Sequence, residues 1–377
     1  MKILFTGGGT GGHFYPIIAV AQAVRERTKK LKILNPSMYF MAPTAYSARA
    51  LFDNEIEFVA IPAGKIRRYF SLLNITDLFK TAYGCVTALI RMFSIYPDVV
   101  FGKGGYASFP ALLAARILRI PVVIHDSDSK PGRVNLWAGK FAKKIALSYE
   151  SAIQYFPKHK DAVAYTGCPV RPEIAQPLSN GALEFLGLEE KTPVVLIIGG
   201  SQGSQRINDV IIEALPELLN RCQIIHQTGR ANIGEIKSTT AVILKDHPYS
   251  YRYHPFDYLN ELALRMSAGA ASLVVSRAGS TIFEIAAWGL PSIIIPLPQE
   301  ISHDQTANAF AYSRTGAASV IEENNLSAHV LIEEIDRILN SSALTSTMKE
   351  HAKAFARLDS ADIIATALID IALEHEK

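Results

Sequence analysis

At 377 residues the chain exceeds what one ordinary hydrophobic core organises, so two domains are expected. Apolar side chains at 49% against 19% charged exclude a largely disordered chain, and a formal charge of +3 gives no reason to expect a nucleic-acid partner. Cys85, Cys168 and Cys222 stand far apart without a CxxC spacing, which argues against a cysteine metal site or a disulfide scaffold and fits a reducing cytoplasm. The chain enters a strand-like run at residues 2–6 at once, so no signal peptide is expected. Further short, β-branched runs follow at 38–42, 58–61, 98–101, 122–125 and 144–147, alternating with helical patterns at 16–27, 75–93, 109–118 and 134–141. Near-continuous apolar strands with helices between them predict a parallel sheet covered on both faces. A proline-rich, polar stretch from Cys168 to Pro193 reads as a hinge, and then the alternation restarts. Strands are predicted at 194–198, 223–227, 272–275 and 292–296, helices at 204–219, 259–266, 281–288 and 303–314, and helical patterns at 326–339 and 344–373 close the chain. Apolar stretches such as 111–124 are interrupted by Arg116 and Arg119, so no segment is expected to reach the roughly 18 to 20 residues that span a bilayer. Any membrane contact is then peripheral.

Each half opens on a glycine-rich turn between a strand-like and a helix-like run: Gly7-Gly-Gly-Thr10-Gly11-Gly12-His13 in the first, Gly199-Gly-Ser201-Gln202-Gly203 in the second. Such turns bring backbone N–H groups and the positive end of a helix dipole to bear on an anion. Gly7, Gly9 and Gly12 also satisfy the dinucleotide fingerprint G-x-G-x-x-G. That reading wants a carboxylate at the end of the second strand, and residues 38–44 carry none, which counts against nicotinamide or flavin. His13, in the first turn of the following helix, is placed to act as a base or an orienter, or simply to hold the turn by hydrogen bonds.

A third stretch, residues 274–296, has a buried strand ending in a polar glycine turn, then a helix whose first turns carry Ser280, Thr281 and Glu284. A carboxylate there can accept from both ribose hydroxyls while hydroxyls and N–H groups face a diphosphate. A capping serine followed by a solvated glutamate is the plainer alternative, and it would win if the stretch stood alone.

It stands with others. Gly8-Gly-Thr-Gly-Gly-His13, Gly102-Lys-Gly-Gly-Tyr106, Gly199-Gly-Ser-Gln-Gly203 and Ser276-Arg-Ala-Gly279 with Glu284, in this order along nearly the whole chain, closely resemble the MurG family of N-acetylglucosaminyltransferases. The resemblance implies a GT-B fold: α/β, two Rossmann-like, doubly wound parallel-sheet domains facing across a cleft. It places an acceptor- and membrane-facing domain at 1–166, a UDP-sugar domain at 167–345, and C-terminal helices at 346–377 packing back on the first. It implies inverting transfer of N-acetylglucosamine from UDP-N-acetylglucosamine to the C4 hydroxyl of the muramoyl sugar of lipid I, giving lipid II in peptidoglycan synthesis, without cofactor or metal. A UDP-N-acetylglucosamine epimerase, or a GT-B transferase with another acceptor, is the alternative.

Carried over by position, the resemblance gives the donor diphosphate to Arg171 and Ser201, with Gln202 and Gly203 in the same loop. Ser280 and Thr281 open the helix that brings Glu284 to the ribose. The backbone at Phe256-Asp257 would meet the uracil, Gln305 the donor sugar, and Thr10, Gly11 and Gly12 would approach the donor from the other domain. His13 and Asp126 are the candidate bases, and Tyr106 lies on the acceptor side. Where the family commonly reads His-Glu-Gln-Asn this chain has His125-Asp126-Ser127-Asp128, which shortens one carboxylate and puts Asp128, an acid, where an amide usually contacts the donor. Lipid I lies in the membrane, so an anionic membrane surface is an expected partner and the cytoplasmic face of the bacterial plasma membrane the expected location. Residues 64–75, with Lys65, Arg67, Arg68, Tyr69 and Phe70, mix cations with aromatics as an interfacial patch would.

Overall fold

In the computed structural model, which describes residues 1–65, 73–158, 160–200, 202–300 and 303–374, the chain divides into two units. The first comprises Met1–Arg171 and Arg357–Lys377, the second Pro172–Ala356.

In the first unit the apolar runs become β1 (Lys2–Thr6), β2 (Ser37–Ala42), β3 (Ile56–Ala60), β4 (Val99–Gly102), β5 (Val122–Asp126), β6 (Lys144–Leu147) and β7 (Val163–Tyr165). All pair in parallel, in the order β3-β2-β1-β4-β5-β6-β7. The helices between them are α1 (Gly11–Lys30), α2 (Ala48–Asp53), α3 (Leu73–Ile95), α4 (Phe109–Ile117) and α5 (Arg133–Ala138). Helix α1 starts five residues before the pattern at 16–27 because its first turn is written in glycine; Pro16 lies inside it and removes the rung to the Gly12 carbonyl.

The second unit begins with two short helices, α6 (Pro172–Ala175) and α7 (Ala182–Leu186). It continues β8 (Val194–Ile198), α8 (Gln205–Leu218), β9 (Gln223–Gln227), α9 (Ile233–Ile243), β10 (Tyr253–Phe256), α10 (Glu261–Ala270), β11 (Leu273–Ser276), α11 (Thr281–Trp288), β12 (Ser292–Ile294), α12 (His303–Ser313) and β13 (Ala318–Val320). Helices α13 (Ala328–Leu339), α14 (Ser342–Phe355) and α15 (Ser360–Leu373) complete the chain. The second sheet, β10-β9-β8-β11-β12-β13, is again wholly parallel and repeats the doubly wound order. In each sheet the order reverses next to the first strand, between β1 and β4 and between β8 and β11. There the connections leave to opposite sides and the strand ends are open to a ligand.

Two expectations about the closing helices change. The single pattern at 344–373 is two helices, broken at residues 356–359. Only α15 joins the first unit, burying Ile364, Leu368 and Ile369 with Ile17, Val20 and Val24 of α1. Helix α14 stays with the second, stacking Phe355 on Phe283 of α11, so the boundaries fall at 171/172 and 356/357 rather than 166/167 and 345/346. The crossing is fastened at Gly167. Its carbonyl accepts from Thr166 Oγ1 at 2.9 Å and Ser360 Oγ at 2.9 Å, and lies 3.0 Å from His125 Nε2, while a Cβ there (φ 79°) would overlap the Arg357 side chain.

The expectation that no segment is long and apolar enough to span a bilayer is also corrected. Residues 75–95 of α3 form one helix that passes by length and composition, because scattered Asp77, Lys80 and Arg91 interrupt the sequence without much lowering its average. Asp77, Gly84, Ala88 and Met92 face inward, whereas Ile75, Phe79 (71% exposed), Tyr83, Val86, Ile90 and Phe93 recur at helical spacing on the open side. Residue Lys65 follows Gly64, whose N–H donates to Thr81 Oγ1 on α3 at 3.1 Å; Arg67, Arg68, Tyr69 and Phe70 lie outside the described residues.

Candidate active site

In the first unit the turn after β1 opens α1, with Thr10 as its N-cap. Thr10 Oγ1 and His13 Nδ1 are 3.0 Å apart, which fixes the ring. Nδ1–H donating to the hydroxyl is the arrangement that leaves the Nε2 lone pair available. The turn after β4 packs against it: Tyr106 lies beside Gly9, and Gly105 beside the Nε2 edge of His13. Thr10 is exposed, and Gly11, Gly12, His13 and Tyr106 are half-buried.

Between these turns Lys103 is 1% exposed, and its Nζ has no hydrogen-bond partner. Burial, and after it the Lys103 charge, push the His13 imidazole down to about 3, so it is neutral at neutral pH. The same two causes hold His125, fully buried on β5, well below the usual imidazole range.

Asp126, also a candidate base, is buried and occupied. Oδ1 accepts from the Asp128 N–H at 2.9 Å, and Oδ2 accepts from the Gly132 N–H at 3.0 Å and Asn135 Nδ2 at 2.8 Å. Its carboxyl is raised above the usual range by burial, against the pull of Lys103 and these hydrogen bonds. Its visible work is to shape the loop that carries Asp128, which is half-buried. Arg171, grouped by sequence with the second domain, is the last residue of the first unit before the crossing, with its guanidinium 4.2 Å over the Tyr15 ring.

In the second unit, the turn after β8 leads into α8, capped by Ser204. Gly203 has φ 76°, and a Cβ there would overlap the Thr228 carbonyl oxygen, so this turn and the one after β9 can touch only through glycine. Gln202 is exposed; Ser201 lies outside the described residues. Arg277, 8% exposed, donates to Ser204 Oγ at 2.5 Å and to the carbonyls of Ile295 and Pro296 at 3.2 and 3.3 Å, and pairs with Glu323. It thereby ties the start of α8 to the loop after β12. Ser280, Thr281 and Glu284 occupy the first turn of α11 and are all half-buried. Asp257 is exposed after β10, its Oδ1 accepting from the Tyr258 N–H at 2.7 Å. Gln305, on α12, uses Oε1 to accept from the Leu297 N–H at 3.1 Å, and Asn308 Nδ2 donates to the Ala278 carbonyl at 3.2 Å, so α12 braces both neighbouring loops.

Around the site, Lys103, Arg277 and Gln227 were not singled out by the sequence reasoning. Lys103 carried a signal, a lone lysine among glycines at the end of an apolar strand. Arg277 and Gln227 carried none, because what they do depends on partners 18 to 73 and 27 to 32 positions away in sequence.

Comparison with known proteins covers both units. Residues 3–147 match the glycosyltransferase family 28 N-terminal domain, and residues 194–364 the glycosyltransferase family 28 C-terminal domain. A Bacillus thuringiensis protein named UDP-N-acetylglucosamine–N-acetylmuramyl-(pentapeptide) pyrophosphoryl-undecaprenol N-acetylglucosamine transferase 3 is 35% identical over 353 residues, 93% of this chain and 95% of that protein. A Legionella pneumophila protein named as the same transferase is 35% identical over 90% of this chain and 89% of its own length. Among solved structures, Acinetobacter baumannii MurG superposes with a TM-score of 0.72 at 24% identity over 98% of this chain and 99% of that one. The Staphylococcus aureus MnaA–UDP structure gives 0.71 at 15% over 99% and 97%. These two likenesses establish the fold.

Proposed function

Because the chain belongs to glycosyltransferase family 28, we propose that it is an inverting N-acetylglucosaminyltransferase, moving the sugar from UDP-N-acetylglucosamine to the C4 hydroxyl of the muramoyl sugar of lipid I. The observation that carries this reading is identity at 35% along 93% of the chain with a transferase whose name states that donor and acceptor.

The second unit takes the donor. The glycine turn at Gly200 and Gly203 and the N-terminus of α8, 14 residues long, offer N–H groups and a dipole to the diphosphate. Glu284 accepts from the ribose hydroxyls, and the backbone around Asp257 meets the uracil. The first unit activates the acceptor. Of the two candidate bases His13 is favoured, since Asp126 has both oxygens engaged in its own loop. In the free protein the His13 imidazole is a weak base. Negative charge that a bound substrate carries into this unit stabilises the imidazolium and lifts the pKa toward the working range. The C4 hydroxyl proton then passes to Nε2, its oxygen bonds to C1 of the sugar, and the C1–O bond breaks with its electron pair leaving on UDP. Fixed donors aimed at that developing charge supply much of the barrier reduction.

Helix α3 serves as the membrane-facing surface. Its exposed stripe of Ile75, Phe79, Tyr83, Val86, Ile90 and Phe93 shares the helix with exposed Lys80 and Arg91, a combination suited to an anionic interface. This brings the protein to the cytoplasmic face where a lipid-linked acceptor lies.

The test is incubation with UDP-N-acetylglucosamine and a short-chain lipid I analogue, following UDP release and disaccharide formation. UDP released only when the acceptor is present supports the transferase. Consumption of the donor without any acceptor would point to the epimerase alternative.

A further inference from the structure

Strand β9 ends in Gln227, 5% exposed, and its side-chain amide reaches two separate loops. Nε2 donates to the Gly200 carbonyl in the glycine turn at 3.0 Å, while Oε1 accepts from the Leu259 N–H beyond β10 at 2.9 Å. The next residues repeat the connection in backbone. The Thr228 N–H and Oγ1 both donate to the Phe256 carbonyl, at 2.9 and 3.1 Å, and Gly229 (φ 93°) lies against the Gln202 carbonyl so closely that no Cβ fits. Below this layer Asn208, His226 and Tyr253 form a chain, His226 Nε2 lying 3.0 Å from Asn208 Oδ1 and Nδ1 2.9 Å from the Tyr253 hydroxyl. Gln227 therefore projects from a fully bonded base.

We propose that Gln227 is a positioning residue for the nucleotide. Its amide sets the separation between the glycine turn at Gly200, which takes the diphosphate, and the backbone at 256–259, which takes the base, so that UDP is bound as one rigid span. The inference rests on the UDP-sugar reading above. A primary amide is the neutral side chain that offers a donor and an acceptor at a fixed distance. A carboxylate keeps only the acceptor, and an aliphatic chain keeps neither. With both bonds gone, the two loops are no longer held at the spacing of the ligand. Binding must then order them, and the advantage of joining the two halves of UDP is lost.

The experiment compares the full-length protein with Gln227→Leu and Gln227→Glu, measuring affinity for UDP, uridine and inorganic pyrophosphate, alongside steady-state kinetics and melting temperature. In Gln227→Leu the affinity for UDP falls by about tenfold, the loss of one to two hydrogen bonds, while uridine and pyrophosphate each change by less than about threefold. KM for UDP-N-acetylglucosamine rises by the same factor as the UDP dissociation constant, and kcat changes less. In Gln227→Glu the loss shrinks as pH is lowered, because a protonated carboxyl donates to the Gly200 carbonyl again; this result stands even where the leucine variant does not fold. Unchanged UDP affinity in either variant at neutral pH overturns the inference, as does an equal fall for all three ligands together with a lowered melting temperature. If the unaltered protein fails to bind UDP, the donor reading falls and this inference with it; binding by the unaltered protein with no effect of either variant removes the inference alone.

Discussion

At the reversal of strand order the first unit gathers four ionisable side chains, His13, Lys103, His125 and Asp126, whereas the second gathers amides and hydroxyls around the ion pair of Arg277 with half-buried Glu323. In the first unit Lys103 Nζ and His125 Nδ1 are buried without a hydrogen-bond partner. In the second, His254 Nε2 on β10 and several hydroxyls are also buried without one, but in the cluster beneath the glycine turn both ring nitrogens of His226, both polar atoms of Asn208 and both of Gln227 are matched. Unmatched buried charge is costly to hold and responds strongly to any new charge brought near it. A matched network is stiff and changes little. One strand order thus supports two temperaments, a first unit suited to proton transfer and a second suited to holding a ligand in a fixed shape.

The sharpest break of this comparison is His13→Ala. If the first unit supplies the base, kcat falls by about 10² to 10⁴ while UDP affinity stays within about twofold, read by steady-state kinetics and calorimetry. A matching loss of UDP affinity would assign His13 to ligand binding and erase the division of labour. Glu284→Gln is the reciprocal test. It weakens UDP-N-acetylglucosamine binding by about tenfold to a hundredfold through loss of charged hydrogen bonds, with a smaller change in KM for the lipid acceptor. Equal losses for both substrates would remove its ribose role.

A third contrast concerns surfaces. Replacing Phe79 and Phe93 together by glutamate adds two charges to the α3 stripe, and sedimentation with anionic vesicles should show binding reduced by at least about tenfold from lost apolar burial and new repulsion. UDP affinity and melting temperature should be unaltered, since both side chains already face solvent. Undiminished vesicle binding would move the membrane surface elsewhere.

How much of this was legible in sequence follows from burial. Strands in the middle of each sheet, β1, β4 and β5 or β8 and β11, are covered on both faces and so write continuous apolar runs. The strands that sequence reasoning missed, β7, β10 and β13, are each the outermost in a sheet and only three or four residues long. Half-covered, they carry residues such as His254 and Pro255 in β10, tolerated where one edge needs no partner. Helix α9 was missed because Thr239, Thr240, Val242 and Ile243 give it a strand-like composition. The glycine turns and Glu284 were readable because turn geometry and helix starts are local. The engagement of Asp126 with Gly132 and Asn135 was not, because it depends on how one loop folds back across six to nine residues. The stripe on α3 was hidden for another reason. Its inward and outward faces are both apolar toward the end of the helix, so only packing against α4 reveals which one is left open.

The smallest expected effect concerns acid. His226, fully bonded in the second unit, is held down to about 3 by burial, against 6.5 for the unperturbed side chain. The folded form therefore binds fewer protons than the unfolded one throughout that window. Stability contributed by the neutral ring is complete above 6.5 and lost progressively as pH falls toward 3, at about 1.4 kcal/mol per pH unit for one proton. His13 and His125 in the first unit act in the same direction, but Asp126 opposes them, since a carboxyl raised by burial is relieved of its penalty on protonation. Burial also holds His254 of the second unit below the usual imidazole range, so that unit carries two such rings with no raised carboxyl against them among its described residues, and acid should loosen it first. Each unit carries one tryptophan, Trp137 in the first and Trp288 in the second, where its Nε1–H donates to the Ile174 carbonyl at 2.7 Å. In a Trp137→Phe background, fluorescence follows the second unit alone, and His226→Gln should flatten its denaturation midpoint against pH between 6.5 and 3 by up to one proton's slope. A Trp288→Phe background reports the first unit, whose profile the same substitution should leave in place; parallel shifts in both reporters would mean that the two units unfold as one and that their difference in matched charge has no separate thermodynamic expression.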